Sequence, residues 1–279
     1  MKFNSRVLVA AVALAVSSIP AQAAFNAGAT GNGTLFLTML DASNSISAVF
    51  DLGFNYADIS AAPNVLGNAT NAPASGFFAN NNFSWNLAAG DWAPAFSLFS
   101  GTANPSNVRW TVSATDNTGA PAPGSRGFVT TTTLLGGATN SGMVTAVGNF
   151  DNYINANGSS AAVFQNLTTA PSGNGGAVSN AMTGYAGVAF GSNKFVNYGP
   201  NVTAAYGASM GLSQVSYGGS TAFAQTDIFS FDPTAQFTLS SAGRLDYVAP
   251  IPEADTYAMM LAGLGLIGFI GRRRLSALS

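Results

Sequence analysis

Apolar and polar residues alternate with period two along much of the chain between residues 25 and 250, the pattern of strands with one buried face. Val108, Trp110, Val112 and Ala114 fall on one side of such a segment, and Arg109, Thr111, Ser113 and Thr115 on the other. Ile46, Ala48, Phe50, Leu52 and Phe54 alternate in the same way. Residues 128–135 form a β-branched run that stops at Gly136-Gly137. Further strands are predicted over 34–40, 83–87, 195–198, 212–217, 228–231, 236–239 and 245–248, parted by glycine, asparagine and proline. Two stretches follow the helical period instead. Met143, Val147, Phe150 and Ile154 share one helix face, with Gly158 placed to end it, and Trp92, Phe96 and Phe99 share a face over 91–100. Pro94 falls in the first turn of that second helix, where proline is tolerated. Loops are expected over 117–126 and 171–176.

Many short strands and few helices predict a mainly β fold: a single β-sandwich, jelly-roll-like, with one or two short helices. No repeat period is visible in the chain, which disfavours a solenoid.

Two long apolar runs break the alternation, one at each end. Lys2 and Arg6 precede an unbroken apolar run over 7–16; Ser17, Ser18 and Pro20 follow, then Ala21-Gln22-Ala23. A basic start, a short apolar core and small residues at Ala21 and Ala23 are the parts of a secretory signal peptide, and they assign residues 1–23 to one. Ten apolar residues make about 15 Å of helix, half the thickness of a bilayer core. Such a peptide addresses the chain to the Sec translocon.

The second run is uncharged over 257–271 and is followed at once by Arg272, Arg273 and Arg274. Fifteen helical residues span about 22 Å, a short crossing that Thr256 and snorkelling arginines would extend. The positive-inside rule keeps the three arginines cytoplasmic and the preceding chain outside. Gly263-Leu264-Gly265-Leu266-Ile267-Gly268 fits the dinucleotide fingerprint G-x-G-x-x-G. It lacks the preceding strand and the later acidic residue that give that motif its meaning, so the match is accidental. The expected organisation is therefore a signal peptide (1–23), a β-rich exported domain (24–249) and a tail (250–279).

Pro252-Glu253, the glycine-containing apolar run with Thr256, Tyr257, Gly263, Gly265, Gly268 and Gly271, and the Arg272–Arg274 cluster stand in fixed order at the end of the chain. This tail resembles the PEP-CTERM sorting signal of Gram-negative bacteria. The sorting motif would be Pro252, Glu253 and Ala254, with alanine where a second proline is usual. The resemblance implies a membrane helix over 256–271, a basic stop at Arg272–Arg274, and an exosortase-type membrane transpeptidase as partner. It also implies an intermediate anchored in the inner membrane with its C-terminus cytoplasmic. The outer surface or extracellular matrix would follow, in association with exopolysaccharide, biofilm or floc. Tails of this kind are sometimes labelled ice-binding, a label that says nothing of this chain. An ice-binding face needs ranked threonines, and Thr130, Thr131, Thr132 and Thr133 are consecutive, so they point alternately to opposite faces.

Composition narrows the chemistry. Charged residues are 7% of the 279, histidine and cysteine are absent, and the net charge is −2. Residues 24–250 hold four cations, Arg109, Arg126, Lys194 and Arg244, so there is no basic footprint for nucleic acid. Without His or Cys, neither a Ser-His-Asp nor a Cys-His arrangement can form. Gly191-Ser192-Asn193-Lys194 lacks the S-x-x-K spacing of a Ser–Lys site. No catalytic residue, cofactor or metal site is assigned. Calcium would need oxygen ligands, and Asp41-Ala42-Ser43-Asn44, Asp116-Asn117 and Asp151-Asn152 are the nearest clusters; Asp and Asn also serve as turn residues, which is the preferred account.

Three functions remain open on the sequence. The first is a non-catalytic surface or matrix protein. The second is a carbohydrate-binding module that stacks sugars on Trp85 (beside asparagines 80–82) or Tyr217, with Tyr198 and Tyr206 as further rings. The third, a secreted hydrolase, would need two carboxylates facing one another in a cleft.

Overall fold

A computed structural model describes residues 25–60, 76–79, 81–119, 122–132, 139–158, 176–180, 184–187, 202–250 and 264. The chain divides into two compact units, Met1–Ala249 and Pro250–Ser279. Of the expected elements, the strand at 195–198, the signal peptide and the tail helix lie outside the described residues, Leu264 excepted.

The first unit is mainly β. Eleven strands form one antiparallel sheet: β1 (Thr34–Asp41), β2 (Ile46–Asn55), β3 (Phe83–Asn86), β4 (Arg109–Asp116), β5 (Gly127–Thr132), β6 (Gly176–Ser179), β7 (Ala204–Ala205), β8 (Ser209–Ser216), β9 (Asp227–Ser230), β10 (Gln236–Leu239) and β11 (Arg244–Val248). Their order is β3-β11-β10-β8-β5-β4-β1-β2-β6, with β7 against β4 and β9 against β8. Among the described residues three α-helices accompany it: the single turn α1 (Tyr56–Ile59), α2 (Ala93–Thr102) and α3 (Asn140–Gly158).

The sheet curls, and β8 is where it turns. Ser213–Ser216 pair with β9, whereas Ser209 and Met210 pair with Thr238 and Phe237 of β10. One strand therefore feeds two directions, and the path from β10 through β11 to β3 folds back over the rest. The fold-back is fastened at β2, where the indole N–H of Trp85 on β3 donates to the Leu52 carbonyl at 2.9 Å. Trp92, in the 3-10 turn Gly90–Trp92 ahead of α2, donates its indole N–H to the Asp51 carbonyl at 3.1 Å.

Alternation along each strand supplies the concave face with Leu35, Leu37 and Met39 from β1, and with Ala48, Phe50 and Leu52 from β2. Trp110, Val112 and Ala114 of β4 join them, together with Phe237, Leu239, Leu245 and Tyr247 from the far end of the sheet. The α2 helix adds Ala95, Phe96 and Phe99 to this core. Gly243 has φ +82, and a Cβ there would lie 2.6 Å from the Phe96 ring, so the turn before β11 needs glycine both for its backbone and for space.

The convex face carries α3. Met143, Val147, Phe150 and Ile154 share the buried side of this helix, as their spacing predicts, and pack with Phe36, Val49, Phe128 and Val215. The helix begins at Asn140 and runs to Gly158. Buried hydroxyls join β4 to β5 as well. Thr111, Ser113, Thr130 and Thr131 are fully buried, and their oxygens bond one another at 3.0–3.4 Å across β4 and β5. The Thr131 oxygen also accepts the Val112 N–H at 3.0 Å. Short hydroxyls that satisfy each other let polar residues sit inside without charge.

Candidate functional site

The residues with the best chemical credentials in the body are its carboxylates, and those of Asp41, Asp116 and Asp151 are taken up by nearby donors. Asp41 closes the β1–β2 hairpin. Its Oδ1 accepts the N–H of Ser43 at 3.0 Å and of Asn44 at 3.3 Å, and its Oδ2 accepts the Asn44 side-chain amide and the Asn104 N–H, both at 2.7 Å. Burial pushes this carboxyl up, but the donors from Ser43, Asn104 and Asn44 outweigh it and hold the group below its usual range. Asp116 accepts the Thr118 N–H at 2.9 Å and the Thr118 hydroxyl at 2.6 Å. Asp151 accepts from the Thr115 hydroxyl at 3.4 Å and the Asn117 amide at 3.3 Å, yet burial still raises its pKa. All three clusters weighed for calcium thus present carboxylate lone pairs to N–H and O–H donors. Among the described residues, no three acidic side chains gather as a cation site would require.

Asp51 is different. It lies at 2% exposure on β2, and its carboxylate accepts the Gly53 N–H at 2.7 Å. Burial, only partly offset by that bond, pushes its pKa up to about 7. The site is a bulge: Phe36 pairs with Asp51 but Thr34 pairs with Asn55, and Gly53 takes φ +77. The two carbonyls that receive the tryptophans belong to Asp51 and Leu52, so the buried acid sits at the seam that fastens the curled sheet.

The rings singled out for sugar stacking are corrected by their burial. Trp85 is 1% exposed, inside a cluster with Phe54, Phe83 and Phe237 at centroid distances of 5.8–6.3 Å. Tyr217 is 5% exposed, with the Arg126 guanidinium 6.0 Å from its ring centroid. Neither offers a free face to a polysaccharide. Trp85 shares its strand face with Phe83 and Leu87, and that alternation already marked it for the core. Tyr206 is half-buried against the same core, and Tyr198 lies outside the described residues.

Among the described residues the ring most open to solvent is one that no strand pattern marks. Phe223, between β8 and β9, is 86% exposed. The buried Asn140 at the start of α3 holds its loop, donating its side-chain amide to the carbonyls of Gly219 at 2.9 Å and Thr221 at 2.8 Å, and accepting the Gly218 N–H at 3.2 Å. The backbone N–H groups of Asn140 and Ser141 donate to Ala224 and Ala222, each at 2.9 Å, and Thr139 bridges to Gln225. A phenylalanine amid turn residues, with no apolar partner at period two, was the only signal available.

The body ends at β11. Beyond it the Ala249 N–H donates to the Asn82 side chain at 2.8 Å, and the second unit starts at Pro250. Residues 250–274 match the family model of the PEP-CTERM protein-sorting motif. Pro252, Glu253, Ala254, the apolar run and Arg272–Arg274 all fall within that match. No curated protein and no solved structure matches the chain. The motif marks an exported protein that is processed at a membrane, with an exosortase as the processing partner. Among the described residues no helix is long and apolar enough to cross a membrane. Ala21, Ala23 and the tail residues from Pro252 to Arg274, Leu264 excepted, lie outside the described set.

Proposed function

We propose that this chain is a non-catalytic surface or matrix protein, delivered by two terminal signals and associated with exopolysaccharide, biofilm or floc. The peptide over 1–23 sends it through the Sec translocon and is cut after Ala23. Residues 256–271 then hold it in the inner membrane, with Arg272, Arg273 and Arg274 on the cytoplasmic side. The exosortase acts near Pro252, Glu253 and Ala254, and the body passes to the outer surface or the extracellular matrix.

The observation that carries this reading is the sorting motif over 250–274, which begins where the first unit ends at Ala249. The absence of His and Cys and the local use of Asp41, Asp116 and Asp151 support a body without catalysis. Intact-mass measurement on protein recovered from its native host tests both ends at once. The expected mass corresponds to a start at Ala24 and an end within a few residues of Ala254. A full-length mass would overturn the reading.

A further inference from the structure

We propose that Phe223 is the stacking platform of a binding site for neutral polysaccharide, displayed on the loop between β8 and β9. Single exposed apolar residues are ordinary on protein surfaces; what sets this one apart is its mounting. The loop over 217–226 is fixed to the start of α3 through three bonds to the Asn140 side chain, two to the first N–H groups of the helix and an internal turn from Ala224 to Thr221. The backbone that carries this 86% exposed ring is thereby fixed, so the loop itself loses little conformational freedom when a ligand arrives.

The surroundings choose the ligand. A protein partner would call for an apolar patch with a polar rim, and a membrane for several apolar or basic anchors. The neighbours of Phe223 that face solvent are Ser220, Thr221, Ala222 and Gln225. Loop residues 218–225 are uncharged. The Arg126 guanidinium, beside Tyr217 at the root of the loop, is turned onto the Gly119 carbonyl, at 2.6 and 3.0 Å. A flat apolar ring on a loop whose other exposed side chains are hydroxyls and an amide suits a pyranose, whose C–H face would stack on the ring while Ser220, Thr221 and Gln225 supply hydrogen-bonding groups for its hydroxyls. The proposal deepens the function given above, resting on it for the presence of polysaccharide outside the cell, but its test is independent of sorting.

The test uses the full chain, purified in mild detergent, on cellulose, chitin and a galactomannan, by pull-down and affinity electrophoresis. The wild-type chain should be retained by at least one polymer. Phe223→Ala should weaken that retention about tenfold or more with an unchanged melting temperature, since the ring contributes nothing to the core. Phe223→Trp should keep it, and Asn140→Ala, which frees the loop, should weaken it. No retention of the wild type by any of the three overturns the proposal, as does retention unaffected by Phe223→Ala. A Phe223→Ala effect seen instead on self-association in ultracentrifugation, or on flotation with phosphatidylglycerol vesicles, would assign the ring to a protein or a membrane and overturn it too. Because tail processing is read by mass, a failure here leaves the sorting reading standing, and the reverse also holds.

Discussion

Trp85 and Leu52 stand 33 residues apart, on strands near opposite ends of the sheet, and are joined by one hydrogen bond of 2.9 Å from the indole N–H to the carbonyl. That bond, with its neighbour from Trp92 to Asp51, sets where the curled sheet closes on itself. Trp85→Phe keeps a ring in the cluster and removes the donor. It should cost about 1–2 kcal/mol of unfolding free energy, mostly from leaving a buried carbonyl unpaired. Trp85→Ala should cost about 3–5 kcal/mol by also opening a cavity. Urea denaturation followed by the remaining tryptophans measures both.

Asp51 makes the same seam sensitive to pH. Its folded pKa of about 7 lies above the unfolded value of 3.8, so the native state holds a proton that the unfolded chain has released. Its contribution to stability is full below about pH 4 and is lost as pH rises through 7, with an upper bound on the order of 4 kcal/mol. Asp51→Asn keeps the shape and cannot ionise. Its stability should match the wild type near pH 4 and exceed it at pH 8, as measured by denaturation at the two pH values. Asp151, also raised by burial, adds in the same sense, whereas Asp41, held low by its donors, opposes both.

The loop that bears Phe223 depends on one buried amide. Asn140→Ala removes its bonds to Gly218, Gly219 and Thr221, and should destabilise the protein by about 1–3 kcal/mol. Amide hydrogen exchange in residues 217–226 should accelerate, while exchange in β1, β2 and β4 should change only by the global loss of stability.

Replacing Arg272, Arg273 and Arg274 with glutamine removes the positive charge that ends the apolar run. Cell fractionation should then show the chain mislocalised, with the uncut precursor accumulating. Normal fractionation and normal processing would count against the role given to these arginines.

Period-two alternation made most of the sheet legible beforehand. The strand predicted over 236–239 is β10, Gln236–Leu239; those containing Leu37 and Phe50 run one residue longer, and the one containing Trp110 is shifted by one, to Arg109–Asp116. The helix face of Met143, Val147, Phe150 and Ile154 was equally plain, because it alone buries α3. Strand β6 (Gly176–Ser179) and strand β7 (Ala204–Ala205) are too short and too poor in branched side chains to alternate, and α1 is a single turn. The closure could not be read in advance either, since a tryptophan N–H reaching a carbonyl 33 residues away leaves no local pattern. The same gap misplaced the sugar-binding candidates. Aromatic residues on strands are more often core than exposed, and Trp85 follows Phe83 inward; among the described residues the ring most open to solvent, Phe223, belongs to a loop.

The last fastening of the body is the Ala249 N–H on Asn82, three positions upstream of Pro252. A cut between Pro252 and Ala254 falls beyond β11, the last strand among the described residues, which ends at Val248. Precursor and product should share one melting curve and one protease-resistant fragment. If they do, the proposed trimming alters the address of the molecule and not the eleven-stranded body that is delivered.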